Sequence, residues 1–300
     1  MLKKALKNRT QDDVGIIKRD LKYWGRIASR YDEALSIDED TVEPRSRLYE
    51  IYEDRVLDGI MDSHVNSGPT VFFEVGSGTG RYILRYACRI ARDSKCRSQT
   101  YSPIYDNNLL AIIGLDFSFK MIETCLAKLK RANLINEMQS RILLINGLAE
   151  ERSFSFDRVD GLEDAKRVVC CMFNTLGNIE PAGRRRKVLE RIYDLIYPDG
   201  EAVISVFNRA VFNEEGIPYY SNEGVMKLIY PRDGTRLQFK RGEVRSDDFY
   251  SHWFKEQEIM RILHETGFRT VGEPIVGARL SEPDRIQAKR GIIIRARAGR

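Results

Sequence analysis

A chain of 300 residues, 42% hydrophobic and 31% charged, has the composition of a folded protein with one large domain, or one domain and a small added lobe. Its longest apolar runs, such as Ala111-Ile112-Ile113 and residues 168–173, fall far short of the roughly 20 apolar residues of a membrane helix, which excludes a membrane-spanning role. The formal charge of +5, from 49 basic against 44 acidic residues, is too small a surplus to demand an anionic partner.

The opening residues MLKKALKNRT lack the apolar stretch of a secretory leader. The cysteines, Cys88, Cys96, Cys125, Cys170 and Cys171, are odd in number and show no C-x-x-C spacing. Neither a disulfide framework nor a zinc site is expected, and a cytoplasmic chain with reduced thiols is. Residues 1–65 read as a helical cover. Val14, Ile17, Leu21 and Trp24 recur three or four apart, and Leu48, Ile51, Tyr52, Val56 and Ile60 mark a second helix that Pro44 suits as a start. An acidic stretch, 32–43, separates the two.

The pattern changes at residue 70 and a main domain, 66–300, begins. TVFFEV is a continuous β-type run, as a strand buried on both faces requires. Gly76, Gly78 and Gly80 follow at once, and helical spacing resumes over 82–91. Further strands are predicted at 109–115, 141–145, 165–172, 201–207, 268–275 and 290–296, with helices at 118–132, 184–196 and 256–266. The alternation predicts a doubly wound α/β fold with a mostly parallel sheet. Two insertions, at about 92–108 and 208–253, interrupt it. Extended segments at 226–230, 236–240 and 243–245 make the second an antiparallel patch or lid.

Glycine permits close backbone approach and φ > 0, and a helix N-terminus presents N–H donors. The spacing here is G-x-G-x-G with Arg81 next, so it matches neither the G-x-G-x-x-G dinucleotide fingerprint nor a P-loop ending in G-K-[ST]. Asp116 ends the second strand, where a carboxylate can accept both protons of a ribose diol. It lies 36 residues past Gly80, and the first insertion explains the excess over the roughly 20 usual for such loops. No cluster of metal-ligand spacing appears, so no metal is expected; His64, His252 and His264 stand far apart.

Phe73-Glu74-Val75-Gly76-Ser77-Gly78-Thr79-Gly80-Arg81 resembles the first motif, E/D-x-G-x-G-x-G, of class I S-adenosylmethionine-dependent methyltransferases. The resemblance implies a Rossmann-like seven-stranded sheet with a C-terminal antiparallel hairpin, and S-adenosyl-L-methionine as cofactor. Gly76, Ser77, Gly78 and Gly80 would pack against its methionine part, with Glu74 helping to hold the loop and its ligand. Residues 114–121 resemble the family's D-x-S-x-x-M segment, which implies Asp116 and Ser118 at the ribose and Phe117 and Met121 beside the adenine. Ser118 also suits a helix N-cap. Gly147-Leu148-Ala149 resembles the adenine-edge segment, although many members carry Asp at the position of Leu148. That acidic contact is then lost or moved to Glu150. Residues 171–178 resemble the F/G-N-x-L-G-N form of some small-molecule methyltransferases and not the N-P-P-[YF] form of many amino-methylating ones. Met172 would border the cofactor; Asn174 and Asn178 orient substrate or cap the next helix. Tyr31-Asp32 resembles the segment that covers the cofactor. The resemblance spans about 70–210 and extends to 255–297.

A sulfonium methyl is already activated, so the protein must chiefly align a nucleophile in line and exclude water. A general base is needed only where the acceptor atom is protonated. His252, in the aromatic cluster Phe249-Tyr250-Ser251-His252-Trp253, is the best base candidate, although a structural histidine is the favoured reading there. Tyr219 and Tyr220 follow Pro218 and either line a substrate pocket, with Tyr220 at the chemistry, or pack the lid. The basic run 184–187 reads as a solvated helix face, and Arg295, Arg297 and Arg300 as guards of an edge strand. Positive charge is therefore not gathered in one stretch. Transfer to N or O of a small molecule is favoured over an RNA or protein methyltransferase, and over a non-catalytic cofactor-binding protein on the same fold. Nothing in the pattern indicates an oligomeric state.

Overall fold

The computed structural model describes residues 9–31, 44–91, 105–135, 141–152, 154–156, 161–221 and 237–299. Thr10 accepts a hydrogen bond from Asp13 N–H at 3.2 Å and starts α1 (Gln11–Ile27), with Asp12 and Asp13 in its first turn. A second helix, α2 (Pro44–Asn66), precedes β1 (Thr70–Val75). The glycine turn leads into α3 (Arg81–Ile90), then β2 (Leu109–Asp116), α4 (Phe119–Arg131), β3 (Ile142–Asn146) and β4 (Lys166–Cys171). Next come α5 (Ala182–Ile196), β5 (Glu201–Phe207) and three short strands, β6 (Gln238–Lys240), β7 (Glu243–Arg245) and β8 (Tyr250–His252). The chain closes with α6 (Glu256–Glu265), β9 (Phe268–Thr270), β10 (Ile275–Val276) and β11 (Gly291–Ala298).

β1 and β2 are continuous apolar runs because both faces of the sheet are covered. The order β3-β2-β1-β4-β5 is parallel throughout, and β11 joins β5 antiparallel. β9 and β10 both pair with β11 on its other side, so eight strands fill seven positions. The single strand predicted over 268–275 is broken because Gly272 takes φ +74° and Pro274 has no N–H to donate. β11 is thus interior, not the edge its arginines suggested. Arg295 and Arg297 instead grip the buried Glu201 on β5, at 2.6 and 3.0 Å.

On one face α5 and α6 bury Val188, Ile192, Ile259 and Leu263 against Phe73, Ile113 and Ile204. On the other, α2 packs Leu57, Ile60 and Met61 beside Phe72 and Tyr86 of β1 and α3. α2 is therefore built into the core of the sheet, while α1 lies across the strand ends with Tyr23 and Ile27 in an aromatic cluster that includes Phe207, Tyr220 and Trp253. The second insertion does form a small antiparallel sheet, β6-β7-β8, with β8 a strand that the sequence pattern did not reveal. The segment 226–230 and most of 92–108 lie outside the described residues; 105–108 form a single helical turn. Among the described residues no helix is long and apolar enough to cross a membrane.

Candidate active site

The strand ends and α1 enclose a cleft. Its floor is the glycine turn, which leaves β1 with Gly76 N–H and Ser77 N–H both donating to Leu115 O at 2.8 and 3.0 Å. The glycines serve different ends. A Cβ on Gly76 would run into the Thr175 side chain and one on Gly80 into Cys125, whereas Gly78, at φ +52°, faces open space. Position 78 is where a ligand can lie directly against backbone.

Asp116 is the hub of the floor. Its Oδ2 accepts from Gly78 N–H and its Oδ1 from Ser118 N–H, both at 2.8 Å. Burial pushes its carboxyl up to about 6, against the pull of those two amides. Asn146, unremarked in the sequence, ends β3 and donates to the carbonyls of Asp116 and Phe117 at 3.1 and 3.0 Å, which sets the direction of the β2 exit. Phe117, Met121, Gly147, Leu148 and Ala149 line the same cleft, giving it apolar walls beside the Asp116 carboxylate.

The roof comes from α1 and the turn after it: Asp20, Trp24 and Tyr31 all line the cleft. Asp20 is held by Arg19, whose Nε lies 2.9 Å from Oδ1, and burial pushes its carboxyl up to about 6 against that pull. Arg19 also reaches Glu180 at 3.0 Å, and Arg9, just before the helix, reaches Glu150 at 2.9 Å, so ion pairs fasten α1 and the segment leading into it beside the cleft. The far wall is Phe173, Thr175 and Asn178, from the loop after β4, with Arg184 from α5.

No family model and no curated protein sequence matches the chain. Solved structures do. An S-adenosylmethionine-dependent methyltransferase from Clostridium acetobutylicum superposes with TM-score 0.53 at 12% identity, over 92% of this chain and 99% of that one. The CcbJ methyltransferase from Streptomyces caelestis gives 0.52 at 15%, over 93% and 98%. The [4+2]-cyclase SpnF gives 0.54 at 12%, over 93% and 95%. The fold is that of the class I S-adenosylmethionine-dependent methyltransferases. At these identities the likeness establishes the fold, and the function is argued from the site.

The cleft gathers Tyr31, Gly76, Gly78, Asp116, Phe117, Met121, Gly147, Leu148, Ala149 and Asn178 from the residues singled out in the sequence. Glu74, Ser77, Gly80, Ser118 and Met172 lie beneath or behind it. Glu74 Oε2 and Ser77 Oγ are buried without a hydrogen-bond partner. Ser118 occupies the α4 N-cap position without a side-chain cap bond. Met172 sits in the core with Val203.

The other polar candidates turn inward. The Asn174 amide accepts from Phe207 N–H at 3.0 Å and donates to Ser251 Oγ and His252 O at 3.1 and 3.2 Å. His252 is buried, with Nε2 2.9 Å from Glu258 Oε1 and Nδ1 3.6 Å from Glu243. Tyr220 donates to Ser251 Oγ at 2.8 Å and accepts from Trp253 at 3.2 Å. Tyr219 packs on Phe207, with the Arg290 guanidinium 4.1 Å from its ring centre. None of these four lines the cleft.

The basic run keeps its expected role only in part. Arg184 and Arg185 are buried, while Arg186 is half-buried and Lys187 exposed. Arg184 Nε lies 2.7 Å from Glu150, and Arg185 donates to Ile179 O and Tyr250 OH at 2.9 and 3.1 Å. Only tertiary packing supplies these partners, and an arginine left in water differs from one of these in nothing local. Glu150, the fallback acid of the adenine edge, is engaged by both Arg9 and Arg184.

Proposed function

We propose that this protein transfers the methyl group of S-adenosyl-L-methionine to an N or O atom of a small molecule. The observation that carries the reading is the pairing of Asp116 with the glycine turn. One carboxylate, anchored by the amides of residues 78 and 118, faces a cleft beside open backbone at Gly78. A vicinal diol suits the carboxylate, a flat purine suits the space between Phe117 and Leu148, and an amino-acid tail suits the glycine floor. When bound, the cofactor supplies an activated sulfonium methyl. The chain's own contribution is then placement and dryness. Phe173, Trp24 and Tyr31 wall off water, and Asn178 offers a polar atom at the acceptor side.

A small acceptor fits the charge around the cleft. Among the described residues Asp20, Asp116 and Glu150 line it against the cation Arg184, and the first two arginines of the basic run, Arg184 and Arg185, are spent on a carboxylate and carbonyls. We read 1–65 and 66–300 as cover and catalytic unit, with α1 the part of the cover that closes over the cofactor. Calorimetry with S-adenosyl-L-methionine tests the cofactor, with Gly78→Arg as the control that fills the floor. No binding by the native chain would discard the reading. Transfer of labelled methyl into metabolite pools and into RNA then identifies the acceptor class.

The fold likeness to a cyclase favours a second reading, in which the cofactor is bound and not consumed. Tight binding with no labelled product from any pool would support it.

A further inference from the structure

The loop after β4 has an unusual backbone: Phe173 and Asn174, neither of them glycine, take φ +50° and +57° in succession. A left-handed non-glycine residue is strained and persists only where its surroundings hold it. Asn174 is held by its own side chain and by its N–H, which donates to Ser205 O at 3.1 Å. Phe173 is held from outside the domain's sequence motifs. Its N–H donates to Glu53 Oε1, on α2, at 3.0 Å.

Glu53 is fully buried and does more than this. Ser205 Oγ donates to the same Oε1, and Tyr49 OH shares that hydroxyl. The other oxygen, Oε2, lies 3.2 Å from Arg81 Nη1, the first residue of α3 after the glycine turn. Burial holds the Glu53 carboxyl above its ordinary range, against the opposing pull of the Arg81 charge. One carboxylate therefore ties together the two neighbouring loops that line the cleft, those after β1 and β4. Gly76 and Gly78 stand on the Arg81 side, and Phe173 and Thr175 on the other. Thr175 is also the side chain that fills the space over Gly76.

We propose that Glu53 is a positioning residue that locks the acceptor wall, through the Phe173 N–H, to the cofactor loop, through Arg81. The proposal rests on the methyl-transfer reading for its functional meaning, and its geometry is independent of that reading. Without Glu53 the Phe173 N–H is left unpaired in a buried site, and the left-handed turn loses its hold. The ring of Phe173 then no longer faces the cleft in one orientation.

The test compares Glu53→Leu with the isosteric Glu53→Gln, whose amide oxygen still accepts from Phe173. Two readouts are taken on each: calorimetry with S-adenosylhomocysteine and hydrogen exchange resolved over residues 172–178. Glu53→Leu is expected to weaken binding about tenfold or more and to speed exchange in 172–178, with β3 unchanged; Glu53→Gln, which keeps the acceptor for Phe173 but turns an NH2 group toward Arg81, holds exchange in 172–178 to within about threefold of the native chain and weakens binding less than Glu53→Leu does. Native protection of 172–178 in Glu53→Leu overturns the proposal, as does exchange over 172–178 in Glu53→Gln as fast as in Glu53→Leu. Where Glu53→Leu does not fold, Ser205→Ala removes one donor from the same carboxylate. Faster exchange in 172–178 supports the proposal, and unchanged exchange overturns it. Should the native chain bind no S-adenosylhomocysteine, the cofactor reading falls and the exchange result still decides the role of Glu53.

Discussion

Asp116 binds its two amides as a carboxylate, yet burial pushes its carboxyl up to about 6. A diol donates to the ionised form, so ligand binding draws that value down. Cofactor affinity is therefore expected to rise as pH goes from about 5 to 7 and to level off above, in calorimetry at fixed ionic strength. Asp116→Asn should flatten most of the slope; Asp20, also pushed up to about 6, leaves the remainder. For folding the sign is opposite. A raised acid holds a proton that the unfolded chain has released, so this stabilising contribution is lost as pH rises from about 4 through 6. His252 is a different case. It packs against Phe254 and between Glu243 and Glu258, so His252→Ala should cost about 1–3 kcal/mol in urea unfolding and leave cofactor affinity near native. Asp116 was legible because a strand end and a local motif place it. The direction of the His252 ring was not, because Glu243 and Glu258 reach it only after β7, β8 and α6 assemble.

α2 and α3 are joined by a ladder with helical period on both sides. Arg81, Arg85 and Arg89 stand four apart, facing Asp54, Asp58 and Asp62, also four apart. Asp58 is the central rung, with Arg85 Nε at 2.9 Å and Arg89 Nη2 at 2.7 Å. Exposed pairs contribute little, but here the carboxylate is half-buried and shared, so Asp58→Ala should destabilise by about 1–3 kcal/mol, more than Asp62→Ala, in denaturant melts. Each half of the ladder reads from sequence as an ordinary polar helix face, because the partner helix is 27 residues away. β5 shows the same point with a pH signature. Burial alone would raise Glu201, but hydrogen bonds from His64, Arg295 and Arg297 draw it down to about 2. That contribution is present above the unfolded value near 4 and is lost as pH falls through 4 toward 2. Glu201→Gln should therefore lower the melting temperature at pH 7 and narrow the gap from the native chain at pH 3.

α1 and the residue before its cap meet three loops through three arginines: Arg9 at Glu150 and Glu151, and, on the helix itself, Arg19 at Glu180 and Arg26 at Asp248. Between these points it presents Asp20 and Trp24 to the cleft. The chain has two tryptophans, and Trp253 is fully buried away from the cleft lining. A ligand entering under α1 should thus change the emission of Trp24 alone. Trp24→Phe is expected to abolish the binding-linked fluorescence change while calorimetry still detects the ligand. A change that survives in Trp24→Phe would place the cofactor elsewhere.

The sequence by itself determined the parallel strands, the glycine turn and the strand-end side of the cleft, because those depend on contiguous patterns: apolar strands, turn glycines, and acids at strand ends. Its pattern also carried the extended character of the second insertion, and the antiparallel C-terminal strand followed only from the family resemblance. Tertiary structure alone decided which polar groups face the cleft. Glu53, Asn174, Arg184 and His252 all carry groups able to serve a site; the first three are directed by partners such as Phe173, Ser251 and Glu150, 120, 77 and 34 residues distant, and His252 by Glu243 and Glu258, which meet it only once β7, β8 and α6 have assembled. A buried charge or amide goes where its hydrogen bonds can be satisfied, and that accounting closes only when the whole chain has come together.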